Sequence, residues 1–158
     1  MNTVLYFSPD GVVYETRAYS RTDIRDLVDN CGLESLTSSD RQFDFWFTPS
    51  TQPCRRVSRS ATEMLLATTR FTAKTVPLLR GGVVVATHDS DGDLDGLSWQ
   101  QLELLSSSSR KVTKRDDRVL NRRIARIHRR QLRHQQRSLT VAQATPLRWT
   151  ARGSVPQS

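Results

Sequence analysis

The chain has only two cysteines, Cys31 and Cys54, only three lysines, Lys74, Lys111 and Lys114, and no acidic residue after Asp117. Two cysteines are too few for a disulfide framework. No apolar run approaches the roughly 18–20 residues that span a bilayer. The opening MNTVLYFSPDG lacks the basic region and apolar core of a secretory peptide. These absences predict a cytoplasmic protein with reduced thiols and no membrane partner. There is also no Walker loop, nucleophile elbow or paired-carboxylate signature. Neither an enzyme nor a bound cofactor is expected.

What the sequence has in quantity is arginine, and it is unevenly placed. Residues 1–105 carry ten Lys/Arg and fourteen Asp/Glu, a net −4. Residues 106–158 carry fourteen Lys/Arg against Asp116 and Asp117, a net +12. The overall +8 therefore averages an acidic body and a basic arm. A GC-rich genome favours arginine over lysine but does not segregate charge along a chain.

The body reads as alternating short elements. Two β-branched and aromatic runs flank Ser8-Pro9-Asp10-Gly11, where Pro suits a type I turn and Gly the positive φ of a bulged hairpin exit. Ser20 or Thr22 caps a helix whose Ile24, Leu27, Val28 and Cys31 share a face, with Gly32 as the stop. FDFWFTP predicts a strand with Phe43, Phe45 and Phe47 on one side. Ser60-Ala61-Thr62-Glu63 matches a capping box for a helix over 61–71 that buries Met64, Leu65, Thr68 and Phe71. GGVVVATH predicts a buried strand, and Ser98-Trp99-Gln100-Gln101 caps a short helix through Leu105. The expectation is an α+β fold: a small two-layer β-β-α-β-α-β-α body over residues 1–105. A serine hinge at 106–109, a basic helix at 110–138 capped by Thr113, and a flexible tail at 139–158 follow it. A continuous helix through the serines is the alternative to a hinge.

The arm's candidate nucleic-acid-binding residues are Arg110, Lys111, Lys114, Arg115, Arg118, Arg122, Arg123, Arg126, Arg129, Arg130, Arg133 and Arg137. With Asp116 and Asp117 they give residues 110–137 a net +10. A helix of that charge can follow several phosphates of DNA or RNA, with no preference of sequence. No helix-turn-helix, zinc-finger or ribonucleoprotein signature accompanies it. A narrow apolar side, Val112, Val119, Leu120, Ile124 and Ile127, can dock on the body or pair two copies. Two other readings stand beside polyanion binding: docking on an acidic protein surface, and a solvated tail that aids solubility. The acidic body masking its own arm is a further possibility. The oligomeric state is open.

Other constellations are weaker. Asp91-Gly92-Asp93-Leu94-Asp95-Gly96 fits the first half of a calcium loop, but position 12 is Leu102 and a strand precedes it, so an acidic turn is expected. Cys31, Cys54 and His88 have no partners at metal spacing. Cys54, beside Arg55 and Arg56, is the more reactive thiol. His128 and His134 lie on different faces of the basic helix. Trp149, between Arg148 and Arg152, can stack on a base or simply ride on a loose tail.

TVLYFSPDGVVYE and VPLLRGGVVVATHDSDGDLDGLS resemble small proteins of actinobacterial phages and other mobile elements, grouped as domains of unknown function. In those proteins a short strand and turn precede helices, and an R-G-x-V-V-V segment leads into an acidic, glycine-rich turn. Here that segment is Arg80-Gly81-Gly82-Val83-Val84-Val85. The resemblance spans residues 3–105 and leaves out the arm. It implies an accessory protein made inside a bacterium, with no catalytic residues to carry over. In that setting the two expected activities are compacting, protecting or redirecting nucleic acid, and binding and inhibiting a host protein.

Overall fold

A computed structural model describes residues 2–28, 32–49 and 56–144 of the chain. They form β1 (Asn2–Phe7), β2 (Val13–Ala18), α1 (Arg21–Leu27), β3 (Glu34–Thr37), β4 (Asp44–Phe47), α2 (Arg59–Thr68), β5 (Val83–His88), β6 (Leu94–Asp95), α3 (Trp99–Ser109) and α4 (Lys114–Ala144). The fold is α+β, with an antiparallel sheet ordered β2-β1-β5-β4-β3 and β6 pairing with β5.

The first hairpin forms where the turn residues predict it. Ser8 N–H donates to the Val12 carbonyl at 2.8 Å, Gly11 N–H to the Ser8 carbonyl at 3.1 Å, and Gly11 takes φ 87°. A side chain there would be strained, and glycine is not. The register runs from Asn2 opposite Ala18 to Phe7 opposite Val13.

β5 lies between β1 and β4, and its residues Val83 to Thr87 are all buried. The reason is that side chains alternate across a sheet covered on both faces. Val83 and Val85 join Phe7, Phe43, Phe45, Met64, Leu65, Leu105 and Leu120 in one core, roofed by α2, α3 and the first turns of α4. Val84 and Ala86 join Val4, Ala18, Ile24 and Val28 in a second core beneath α1. The sheet is therefore sandwiched between helices, where the sequence predicts two layers.

Several boundaries differ from the sequence reading. β3 and β6 arise in stretches that read as connections, because four and two residues carry too little period to register. α2 starts at Arg59 with Ser58 as its N-cap, two residues before the Ser60 box. Ser58 N–H is held by the Leu79 carbonyl at 2.7 Å, and its own carbonyl accepts Thr62 N–H at 3.0 Å, which fixes the first turn there. Glu63 instead pairs with Arg59 at 2.9 Å. The helix ends at Thr68, and Phe71 beyond it is 38% exposed. The serines of 106–109 are the last turn of α3, not a hinge, and Ser108 is buried.

The chain divides into two compact units, Met1–Ile124 and Ala125–Ser158. The first runs nineteen residues past the expected boundary at 105 because Leu120 is fully buried in the core and Val119 packs against it. Residues 139–144, expected in a tail, continue α4. Cys31, Cys54, Trp149 and the tail from residue 145 lie outside the described residues.

Candidate nucleic-acid interface

The basic helix begins as its sequence dictates. Thr113 Oγ1 accepts Asp116 N–H at 3.1 Å, and the Asp116 carboxylate accepts the Thr113 hydroxyl at 2.8 Å and its N–H at 3.3 Å. That reciprocal cap places both carboxylates of the helix in its positive first turn. Asp117 is also engaged, as the ion-pair partner of Arg59. Hydrogen bonds to Glu63 first, then to Asp117, hold the Arg59 guanidinium above its ordinary pKa. Every basic side chain from Arg122 onward follows without an acidic neighbour on its own helix.

In the first unit, Arg110 and Lys111 close the end of α3, where Arg110 N–H meets the Ser107 and Ser108 carbonyls. They are exposed, as are Lys114, Arg115, Arg118 and Arg122. Arg115, Arg118 and Arg122 recur at three and four residues, so they fall within about 60° of one helical face.

Arg123 behaves differently from the other members of the set. It is half-buried, and its Nη1 donates to the Ala73 carbonyl at 2.8 Å. Burial pulls its pKa below the ordinary arginine value. This side chain fastens α4 to the segment after α2 and is not presented to a ligand. Charge counting gives no hint of this, since Arg123 and Arg122 are adjacent and chemically identical.

In the second unit Arg126, Arg129, Arg130, Arg133 and Arg137 are all exposed. Arg126, Arg129, Arg133 and Arg137 follow the helical repeat and share an arc of about 80° over roughly 16 Å of axis. Arg130 lies about 20° beyond Arg137 and widens the arc to about 100°. His128 and His134 are exposed. Leu132, Leu139 and Val141 are exposed at 59%, 63% and 68%. Such a helix can lay a row of bidentate donors along a phosphate backbone, with apolar side chains left over.

The remaining constellations take structural places. The acidic loop joins β5 to β6: Asp89 Oδ1 accepts the N–H groups of Asp91 and Asp93, both at 2.9 Å, and Gly92 takes φ 82°. Among the described residues no group of three or more His, Cys, Asp or Glu is arranged to hold a metal ion. His88 Nδ1 lies 2.6 Å from Asp44 Oδ2, while Asp44 Oδ1 accepts the Thr37 hydroxyl at 2.8 Å. That chain links β3, β4 and β5, and sequence spacing does not reveal it. No helix among the described residues is long and apolar enough to cross a membrane. Compared with known proteins, the chain matches no family model, no curated protein and no solved structure.

Proposed function

We propose that this is a non-catalytic nucleic-acid-binding protein whose arginine-rich helix holds DNA or RNA electrostatically and without sequence preference. Following the resemblance, its setting is that of a phage or mobile-element accessory protein in a bacterial cytoplasm. The observation that supports this reading is the row Arg126, Arg129, Arg133 and Arg137, exposed, aligned and uncompensated. Arg115, Arg118 and Arg122 repeat the pattern in the first unit. Guanidinium groups at this spacing suit phosphates, and no helix-turn-helix, zinc-finger or ribonucleoprotein signature accompanies them to read base edges.

The test is the affinity of the full chain for duplex DNA and for single-stranded RNA at about 50 and 200 mM salt. If the four arginines each release a counterion, they account for about 3.6 of the log–log salt slope, or roughly two decades of affinity across that range. Replacing all four with Gln removes that share. Absence of binding at the lower salt, or an unchanged slope in the quadruple variant, refutes the reading.

A second reading has its own support in Leu132, Leu139 and Val141, which leave the helix with exposed apolar side chains that phosphate binding does not use. It is that of a host-takeover protein that binds and inhibits a bacterial protein. Such a complex would be stoichiometric, would tolerate moderate salt, and would be lost in Leu132→Ala/Leu139→Ala while the arginine variants retain it.

A further inference from the structure

Among the described residues of the first unit, the large apolar side chains exposed to solvent are Val12, Val13, Tyr14, Tyr19, Phe71, Trp99 and Leu104. Four of the seven lie on β2 or beside it. Among the described residues β2 is an edge of the sheet, six residues long, without Pro, and with Glu15 and Arg17 as its charged side chains. The opposite edge, β3, has only four residues.

The hairpin fixes which main-chain groups this edge presents. Ser8 N–H bonds the Val12 carbonyl, and in an antiparallel pair such bonding recurs at every second residue. With the observed register, Tyr14, Thr16 and Ala18 turn their N–H and C=O toward β1. Those of Val13, Glu15 and Arg17 point outward. The far side of β1 agrees, since the Thr3 carbonyl there accepts Leu97 N–H at 2.8 Å.

We propose that β2 pairs antiparallel with β2 of a second copy of this chain, about a two-fold axis through Thr16. Outward groups must meet outward groups, which leaves few registers. Centring on Glu15 sets two carboxylates face to face, and centring on Arg17 sets two guanidiniums face to face. Centring on Thr16 places Glu15 opposite Arg17 of the second copy, twice by symmetry, and Val13 opposite its Tyr19. Glu15 and Arg17 then exchange four main-chain hydrogen bonds. The ladder stops at Tyr19, whose N–H is bonded to Asp23 Oδ2 at 2.7 Å. Arg17 already has an interaction within its own chain, and a guanidinium with five donors can add a carboxylate to it.

The same register accounts for the cleft beside β2. A cavity of about 420 Å³ is lined by Leu5, Phe7, Val13, Glu15, Met64 and Leu102, among others, and Val13 and Glu15 form its sheet-edge side. Tyr19 and Arg17 of the second copy fall next to those two residues on the same face of the sheet. The pairing involves the sheet alone and is independent of what the basic helix binds. If the helix does bind nucleic acid, two linked copies raise its avidity without a new contact.

The test is sedimentation velocity of the full chain from about 5 to 500 µM, the range suited to a small interface. High salt and nuclease treatment remove any polyanion bridge. The expected result is a concentration-dependent dimer. Glu15→Arg and Arg17→Glu each weaken it at least about tenfold, because both symmetry-related pairs become repulsive. The double swap E15R/R17E restores it to near the original constant. Thermal melts by circular dichroism confirm that each variant folds. As a second readout, Thr16→Cys sets two thiols about 4.5 Å apart at Cα across the axis and yields a covalent dimer on oxidation when Cys31 and Cys54 are replaced by Ser. A monomer throughout the range, a dimer indifferent to either single reversal, or a double swap no better than the singles overturns the proposal.

Discussion

Arg123 donates from Nη1 to the main-chain carbonyl of Ala73 at 2.8 Å, while Arg122 beside it is exposed. Two adjacent arginines of one charge run therefore have different work. Arg123→Ala should lower stability by about 1–2 kcal/mol, read by urea denaturation, because the Ala73 carbonyl loses a charged donor. Its salt slope for nucleic acid should stay at the wild-type value. Arg129→Ala should do the reverse, leaving stability unchanged and taking about 0.9 off the slope if Arg129 meets a phosphate. Equal effects of the two variants on the slope would contradict the distinction.

Leu120 sets where the folded body ends. A fragment that stops at 105 lacks this side chain and uncovers the core residues it packs with, whereas in the full chain it lies in the core with Leu105 and Phe7. Leu120→Ala should cost about 2–4 kcal/mol through lost transfer energy and the cavity left behind. By the same reasoning residues 1–124 should unfold cooperatively near the full chain's midpoint, whereas residues 1–105 should be markedly less stable and bind hydrophobic dyes. Matching unfolding midpoints for the two fragments would show that the start of α4 adds nothing to the core.

Two helix starts that look alike in sequence should respond differently. Ser98 Oγ accepts Gln101 N–H at 3.2 Å, and Gln101 Oε1 accepts Ser98 N–H at 2.9 Å. Ser98→Ala should therefore cost about 1 kcal/mol. Ser60 sits inside α2, one residue past its start, so Ser60→Ala should change stability by less than about 0.5 kcal/mol. Thermal unfolding of the two variants side by side checks this.

These contrasts show what was legible. The first hairpin, the Ile24, Leu27 and Val28 face of α1, the aromatic strand, the buried valine strand and the Ser98 box follow from local chemistry, and local chemistry is on the page of a sequence. α1 itself ends at Leu27, ahead of the expected stop at Gly32. The Ser60 box has the right letters, but the Leu79 carbonyl, far along the chain, fixes Ser58 instead. The serine run has no helix-breaking residue, and Leu105 and Ser108 are buried on the same helix, so packing carries α3 through it. Leu120 and Arg123 read as arm residues because neither the core nor the Ala73 carbonyl that receives them can be seen from charge and period. The helical spacing of the other candidate arginines is legible in the sequence, whereas their exposure, like the partial burial of Arg123, is read from the structure. The β2 edge was not legible, because only the strand order shows which strand has a single strand neighbour among the described residues.

Among the described residues Asp44 is the one buried carboxylate whose two oxygens both have partners across the sheet, Thr37 on β3 and His88 on β5. Asp44→Ala removes both hydrogen bonds at once and should cost about 1–3 kcal/mol. Asp44→Asn keeps an oxygen to accept the Thr37 hydroxyl and supplies an N–H that can donate to the imidazole in its other tautomer. It should recover more than half of that loss. His88→Ala should fall between the wild type and Asp44→Ala, because the ring is 32% exposed and its site can rehydrate while Asp44 retains Thr37. Chemical denaturation of the three variants ranks them. Equal damage from Asn and Ala would mean that the carboxylate's charge, rather than its place in a hydrogen-bonded chain from β3 to β5, holds this side of the sheet together.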